Sequence, residues 1–203
     1  MGSDSAELRL TDWRRDLPPL ASRLVSLREP TRDDLGALVD LLSLADASRF
    51  GIDDAVNEVS VQLLLDRSLR ERSAGLSFTY AISLGPSRGI VGLARVRQLD
   101  PAFEAAEWEI TLAPSVRGTG AFVDVARLIG SFAFEAVGTY RLEARVVLQN
   151  GRANGALSKL GAVQEGVLRK SIRRGGEYFD QVLWSVLKDD WGDHWVSTAS
   201  RVH

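Results

Sequence analysis

The stretch from Trp108 to Val137 constrains this chain more than any other. Trp108-Glu109-Ile110-Thr111-Leu112 alternates as a strand does, and Pro114-Ser115-Val116-Arg117-Gly118-Thr119-Gly120 reads as a turn. Beyond it Phe122, Val125, Ala126, Ile129, Phe132, Ala133 and Ala136 recur at helical spacing until Gly138. A glycine turn at a helix start leaves backbone N–H groups without intrahelical acceptors. With the positive end of the helix dipole they favour a phosphate or pyrophosphate. A plain strand-to-helix connection has the same composition, so on this feature alone both readings stand. The turn lacks Gly-Lys-Ser/Thr, which excludes a nucleoside-triphosphate P-loop. Val123 stands where a dinucleotide fingerprint has its third glycine, and Glu107 and Glu109 mark a strand too polar for the centre of a parallel sheet.

Elimination narrows the chemistry. The chain has no cysteine, which excludes disulfides, thiolate catalysis and cysteine-ligated zinc. Its two histidines, His194 and His203, are both near the end, so the sequence predicts no metal centre and no histidine triad. Acid–base work falls to carboxylates, hydroxyls, tyrosine or water. A net charge of -2 supplies no basic field for nucleic acid. No apolar run approaches a membrane span, and Met1 to Ser5 lack the regions of a signal peptide, so the expectation is a cytoplasmic chain with no membrane partner. Arginines outnumber lysines 22 to three, as GC-rich, bacterial-type coding would give.

The 203 residues, 45% hydrophobic, suit one domain with its own core. Residues 1–22, with Trp13 and Pro18-Pro19, read as an N-terminal arm, 23–191 as the domain and 192–203 as a tail. A strand at 24–28 leads into a helix capped at Thr31, and a second helix carries Val61, Leu64, Leu65 and Leu69. Segments 77–84 and 89–97 form a hairpin, followed by the strand 105–112 and the glycine-turn helix. A strand at 142–148, a short helix at 152–160 ending at Gly161, and a hairpin of 163–174 with 178–187 complete the order. The order β-α-α-β-β-β-α-β-α-β-β predicts a single α/β (α+β) domain with a mixed, mostly antiparallel sheet flanked by helices.

That order, with Ala106-Glu107-Trp108, Arg117-Gly118-Thr119-Gly120, Tyr140-Arg141-Leu142-Glu143-Ala144, Asn150-Gly151-Arg152, Lys159-Leu160-Gly161-Ala162 and Tyr178-Phe179-Asp180, resembles the GCN5-related N-acetyltransferase (GNAT) family. Within it the likeness is to the ribosomal-protein (RimJ/RimL-like) type. The resemblance implies acetyl-coenzyme A (acetyl-CoA) as co-substrate and a splay between the fourth and fifth strands, 105–112 and 142–148. It also implies that Arg117, Gly118, Thr119, Gly120, Ala121 and Phe122 cradle the pyrophosphate, while Ile110 and Leu112 offer backbone partners to pantetheine. Three departures stand out. Phe122 occupies a place usually held by Gly or Ala, Leu157 that of a proton-donating tyrosine, and Ala153 that of a serine.

Acetyl transfer requires the amine to lose a proton, so a carboxylate near the thioester helps. Glu107 and Glu109 share one face of the strand that leads to the turn, with Glu107 favoured as the base; the bland alternative is a pair of solvated face residues. Asn150 is either a turn residue or an amide that holds coenzyme or a water beside the thioester, and Arg152 or Lys159 could meet coenzyme phosphates. Arg169, Lys170, Arg173 and Arg174 read as a solvated hairpin tip, or more sharply as a site for an acidic acceptor or the adenosine 3′-phosphate. The expected function is an acetyl-CoA-dependent N-acetyltransferase acting on a protein N-terminus or small-molecule amine by direct attack. The alternatives are a coenzyme-binding or sensing module of weak activity and an acyltransferase with another donor. A homodimer is common in the family, and nothing in the sequence demonstrates one here.

Overall fold

The computed structural model describes residues 12–44, 55–85, 89–116 and 118–191. Eight strands form one sheet in the order β1-β2-β3-β4-β5-β6-β8-β7. They are β1 (Leu20–Ala21), β2 (Val25–Arg28), β3 (Ser77–Leu84), β4 (Ile90–Gln98), β5 (Ala105–Leu112), β6 (Arg141–Val147), β7 (Val163–Arg174) and β8 (Glu177–Leu187). Helices α1 (Leu35–Ser43) and α2 (Glu58–Ser73) lie between β2 and β3. Helix α3 (Ala121–Ser131) crosses from β5 to β6, α4 (Gly151–Lys159) joins β6 to β7, and the short α5 (Lys188–Trp191) follows β8. Every neighbouring pair is antiparallel except β5 with β6.

The predicted order holds, with two elements added. The two-residue β1 pairs Leu20 with Leu27, and two residues are too few to carry a periodic signal. It belongs to the segment read as an arm, which sends Trp13, Leu17 and Leu20 into the core and whose Pro18 carbonyl accepts a 2.8 Å hydrogen bond from the buried Tyr80 hydroxyl. The other addition is α5, which buries Trp191. The helix begun at Ala121 is α-helical only to Ser131; a π-turn, Phe132–Val137, follows and closes on Gly138 at φ 94°. Here the Gly138 N–H reaches back five residues to the Ala133 carbonyl.

Strand alternation sorts the sheet into two faces. Phe78, Tyr80, Ile82, Ala94, Val96, Ala106, Trp108, Leu142 and Ala144 join Val125, Ile129, Phe132 and Phe134 of the α3 region in the larger core. Leu93 points the other way and packs with Leu38, Leu41 and Leu42 of α1 and Val61, Leu64 and Leu65 of α2. Odd-numbered residues of β5 and β6, including Glu107, Glu109, Glu143 and Arg145, therefore face opposite to the α3 core.

The parallel pair β5/β6 is short. Ala105, Ala106 and Glu107 pair with Arg141, Leu142 and Glu143, and the ladder ends there. Beyond that point β5 stays bonded to β4 as far as Leu112, and β6 to β8 as far as Val147. The two strands thus part down the middle of the sheet while each keeps its outer neighbour. This is the splay that the resemblance implied.

Candidate functional site

A cavity of about 450 Å³ occupies the gap. Trp108, Ile110, Phe122, Ala144, Val146, Ala153 and Leu157 line its part toward α3 and α4, and Arg97, Glu107, Glu109, Arg145, Ser171, Arg173 and Gln181 line the opposite part. Residues from both faces of the sheet border a single space because the strands between them have separated. One end is apolar and the other charged.

At the apolar end the turn before α3 is shaped by glycine. Gly118 and Gly120 have φ of 78° and 87°, a left-handed region that disfavours side chains. A Cβ at Gly118 would meet nothing within 4 Å, and one at Gly120 only Leu24 at 3.9 Å, so open space lies over the turn. Among the described residues nothing accepts from the N–H of Gly118 or Phe122, while the Ala121 N–H meets Thr119 Oγ1 at 3.3 Å. Unpaired donors beneath open space at a helix start suit a phosphate-bearing ligand. Phe122 turns its ring into the cavity wall and leaves the backbone of the turn uncovered. Arg117 lies outside the described residues.

The charged end is an ion network. Arg97 Nη2 donates to Glu107 Oε2, and Arg145 Nη1 donates to Glu107 Oε1 at 2.9 Å. Arg145 Nη2 continues to Glu143 at 3.2 Å, Glu143 accepts from Arg141 Nε at 2.9 Å, and Arg141 clasps Glu165 with two bonds of 2.6 and 2.5 Å. The Arg141 bonds and one from Ser185 hold the Glu165 carboxyl down at about 2, well below the usual range. Glu107 is 6% exposed and sits in the last pair of the β5/β6 ladder, so the network fastens the strands together where they begin to part.

The sequence-predicted residues separate into groups. Glu107, Glu109, Ile110 and Phe122 line the cavity. Leu112 does not; it pairs with Gly92 of β4, and a Cβ at Gly92 would come within 2.5 Å of it. Gly118, Thr119, Gly120 and Ala121 are not among the residues that line the cavity, but they directly precede Phe122, which does. Asn150 is exposed and caps α4, its Oδ1 accepting from the Ala153 N–H at 3.1 Å, and Arg152 is exposed on the first turn of that helix. Neither borders the cavity. Sequence reasoning missed Asn154, which fastens α4 to the end of β6: its Nδ2 donates to the carbonyls of Val147 and Asn150, and its Oδ1 accepts from the Trp184 indole at 2.8 Å. It also missed Arg97, Arg145, Ser171 and Gln181. Arg97 had a signal, since Arg95 and Arg97 alternate on β4 as Glu109 and Glu107 do on β5, and the register sets each opposite its counterpart. Among the described residues no cluster of three or more potential ligands is placed to hold a metal, and no helix is long and apolar enough to cross a membrane.

A parallel pair thus parts beside a glycine turn that opens a helix. The family model for the acetyltransferase (GNAT) domain matches residues 24–163. The chain belongs to the GNAT acetyltransferase family. It is an N-acetyltransferase, and the GNAT fold implies acetyl-CoA as the acyl donor. The uncharacterized N-acetyltransferase YoaA of Bacillus subtilis (strain 168) is 24% identical over 174 residues, 84% of this chain and 97% of its own length. The spermidine N(1)-acetyltransferase of Escherichia coli (strain K12) is 24% identical over 166 residues, 81% of this chain and 86% of that one. Mycobacterium smegmatis RimJ in complex with CoA-disulfide shares the fold at a TM-score of 0.76 and 21% identity, covering 90% of this chain and 93% of its own.

Proposed function

We propose that this GNAT enzyme transfers the acetyl group of acetyl-CoA to a primary amine by direct attack, with the thioester in the gap between β5 and β6. The observation that carries the proposal is the end of the β5/β6 ladder at Glu107 and Glu143, beside a cavity that adjoins the glycine turn. Acetyl-CoA supplies an activated acyl group whose thiolate leaves. The N–H groups of Gly118 to Phe122 receive its pyrophosphate, and the unpaired edge of β5 from Trp108 onward offers backbone groups to the amides of pantetheine. The RimJ/RimL-like subtype belongs to this reading, supported by the shared fold and the motif order.

On the charged side we assign the proton to Glu109 in place of Glu107. Both oxygens of Glu107 already accept from arginine guanidiniums, and the residue stands where the strands are still paired. Glu109 stands two residues along, on the same face, in the separated part of β5, and it lines the cavity. The amine loses its proton to Glu109, directly or through water, and its nitrogen attacks the thioester carbonyl. Ala153 and Leu157 form the wall toward α4 and offer no proton, so the thiolate takes one from water.

Thermal unfolding with and without acetyl-CoA, followed by thiol release against amines that include spermidine and short peptides, tests the reading. At 100 times its dissociation constant the ligand adds about 2.7 kcal/mol to stability. No shift, together with no thiol release, overturns it.

A further inference from the structure

Within its network the charged half of the cavity is neutral. Arg97, Arg141 and Arg145 are matched by Glu107, Glu143 and Glu165, each bonded to at least one member of the other set. Two further charged residues line the cavity. Glu109 is on the β5 wall and Arg173 is on the β7 wall. Arg173 has no carboxylate of the described residues within ion-pair distance, and its guanidinium lies over the Tyr178 ring at 5.8 Å. A cation held over a ring face in this way keeps its N–H donors for a ligand.

The backbone places Arg173 there by a specific device. Between Leu168 and Ile172 strand β7 carries two residues more than β8 opposite, so the register changes from Leu168–Gln181 to Ile172–Phe179. Lys170 takes a positive φ of 50° in this bulge, and its N–H is received by Asp180 Oδ1 at 2.8 Å. Ser171 Oγ is 3.0 Å from Gln181 Oε1. A bulge re-aims the side chains that follow it, and those that line the cavity from β7 are Ser171, Ile172 and Arg173.

We infer that the acceptor is a small primary amine that also carries an anionic group, a carboxylate or a phosphate, and that Arg173 binds that group. The inference rests on the N-acetyltransferase reading above and names its substrate class. An amine directed to the β5 wall, where Glu109 stands, has its anionic end toward β7 and the guanidinium edge of Arg173. A polycation lacks that match, because its second ammonium would face Arg173, while Arg97 and Arg145 are already matched by Glu107 and Glu143. The cavity must hold the acyl end of the coenzyme with the acceptor, and about 450 Å³ is at the lower end of small-molecule pockets, so the acceptor is small.

The test measures kcat and KM for amines in matched pairs: β-alanine with β-alaninamide, O-phosphoethanolamine with ethanolamine, alongside spermidine and an acidic tetrapeptide amide. Wild type, Arg173→Ala and Arg173→Lys are compared, and acetyl-CoA binding is followed separately by thermal shift. In wild type at least one anionic member exceeds its neutral twin tenfold or more in kcat/KM, chiefly through KM; which pair shows the preference tells carboxylate from phosphate. In Arg173→Ala the ratio falls toward one, Arg173→Lys keeps part of it, and both retain the acetyl-CoA shift. Equal rates within both pairs, a preference for spermidine or the peptide, or a ratio that survives Arg173→Ala overturns the inference while a retained shift leaves the acetyltransferase reading standing. Absence of both shift and turnover in wild type overturns that reading and this one with it.

Discussion

Glu107→Gln separates a carboxylate that holds the strands together from one that takes a proton. In the native protein Glu107 is 6% exposed and receives Arg97 and Arg145 on separate oxygens. The substituted amide would keep one acceptor oxygen and turn an NH2 group toward the other guanidinium, leaving buried positive charge uncompensated. Breaking a fully buried pair costs about 3–5 kcal/mol. Here the arginines are 39% and 30% exposed, and Arg145 keeps Glu143, so water and that carboxylate recover part of the loss. The expected cost is about 2–3 kcal/mol, which for a domain of this size lowers the melting temperature by roughly 5–10 °C. In Glu109→Gln, in the separated part of β5, turnover falls about 10²–10⁴-fold, the usual loss of a general base. That loss shrinks as pH rises, because more of the amine is then already neutral. Differential scanning calorimetry beside thiol-release kinetics reads both axes. If Glu107→Gln melts like wild type yet loses turnover while Glu109→Gln remains active, Glu107 is the base and the assignment to Glu109 is wrong.

Three further outcomes follow from the same geometry. Gly120→Glu fills the open space over the turn and costs about 1 kcal/mol for a side chain at φ 87°, so the protein folds but its acetyl-CoA shift disappears; isothermal titration showing unchanged affinity rejects the cradle. Gly130→Ala gains about 1 kcal/mol of helix propensity but drives a Cβ to 2.3 Å from Trp191, an overpacking worth about 1–3 kcal/mol, so urea denaturation shows a net loss; in a Trp191→Leu background the same change stabilises, and equal effects in both backgrounds remove the clash from the account. Glu165 has its carboxyl held at about 2 against an ordinary 4.5, so its favourable contribution is present above pH 4.5 and is lost as pH falls toward 2. The side chain is 35% exposed, which limits that contribution to about 1 kcal/mol or less. Glu165→Gln therefore melts lower than wild type at pH 7 and alike near pH 2; a gap that persists in acid would mean that the effect is not electrostatic.

The sequence exposed the elements whose signals are local. Alternation in 105–112, helical spacing after Gly120 and the glycines of the turn each lie within a few residues, and from them the element order and the entry to α3 could be read. The splay came through resemblance, because where two strands stop pairing depends on partners 36 residues apart, as in Glu107 with Glu143. The clamp on Glu107 was half legible: the alternating Arg95/Arg97 and Glu107/Glu109 are visible, but the register that sets Arg97 opposite Glu107, and the arrival of Arg145 from β6, are tertiary facts. Asn150 and Asn154 show the opposite limit. The motif drew attention to Asn150, a helix cap, while Asn154 bonds β6 and Trp184 through a side chain that no local pattern distinguishes.

The two walls of the cavity are held to different tolerances. The donor wall belongs to β5 and β6, interior strands bonded on their outer sides, where one added residue would invert the faces of the whole strand. The wall bearing Arg173 belongs to β7, the last strand of the sheet, which among the described residues has a strand neighbour on one side alone and already carries three surplus residues, two of them between Leu168 and Ile172. In the sheet, exchange of 168–174 for segments of other length and charge falls on the pairing with β8. Selectivity for the amine can then be rewritten at the margin of the molecule while the machinery that handles the thioester stays as it is.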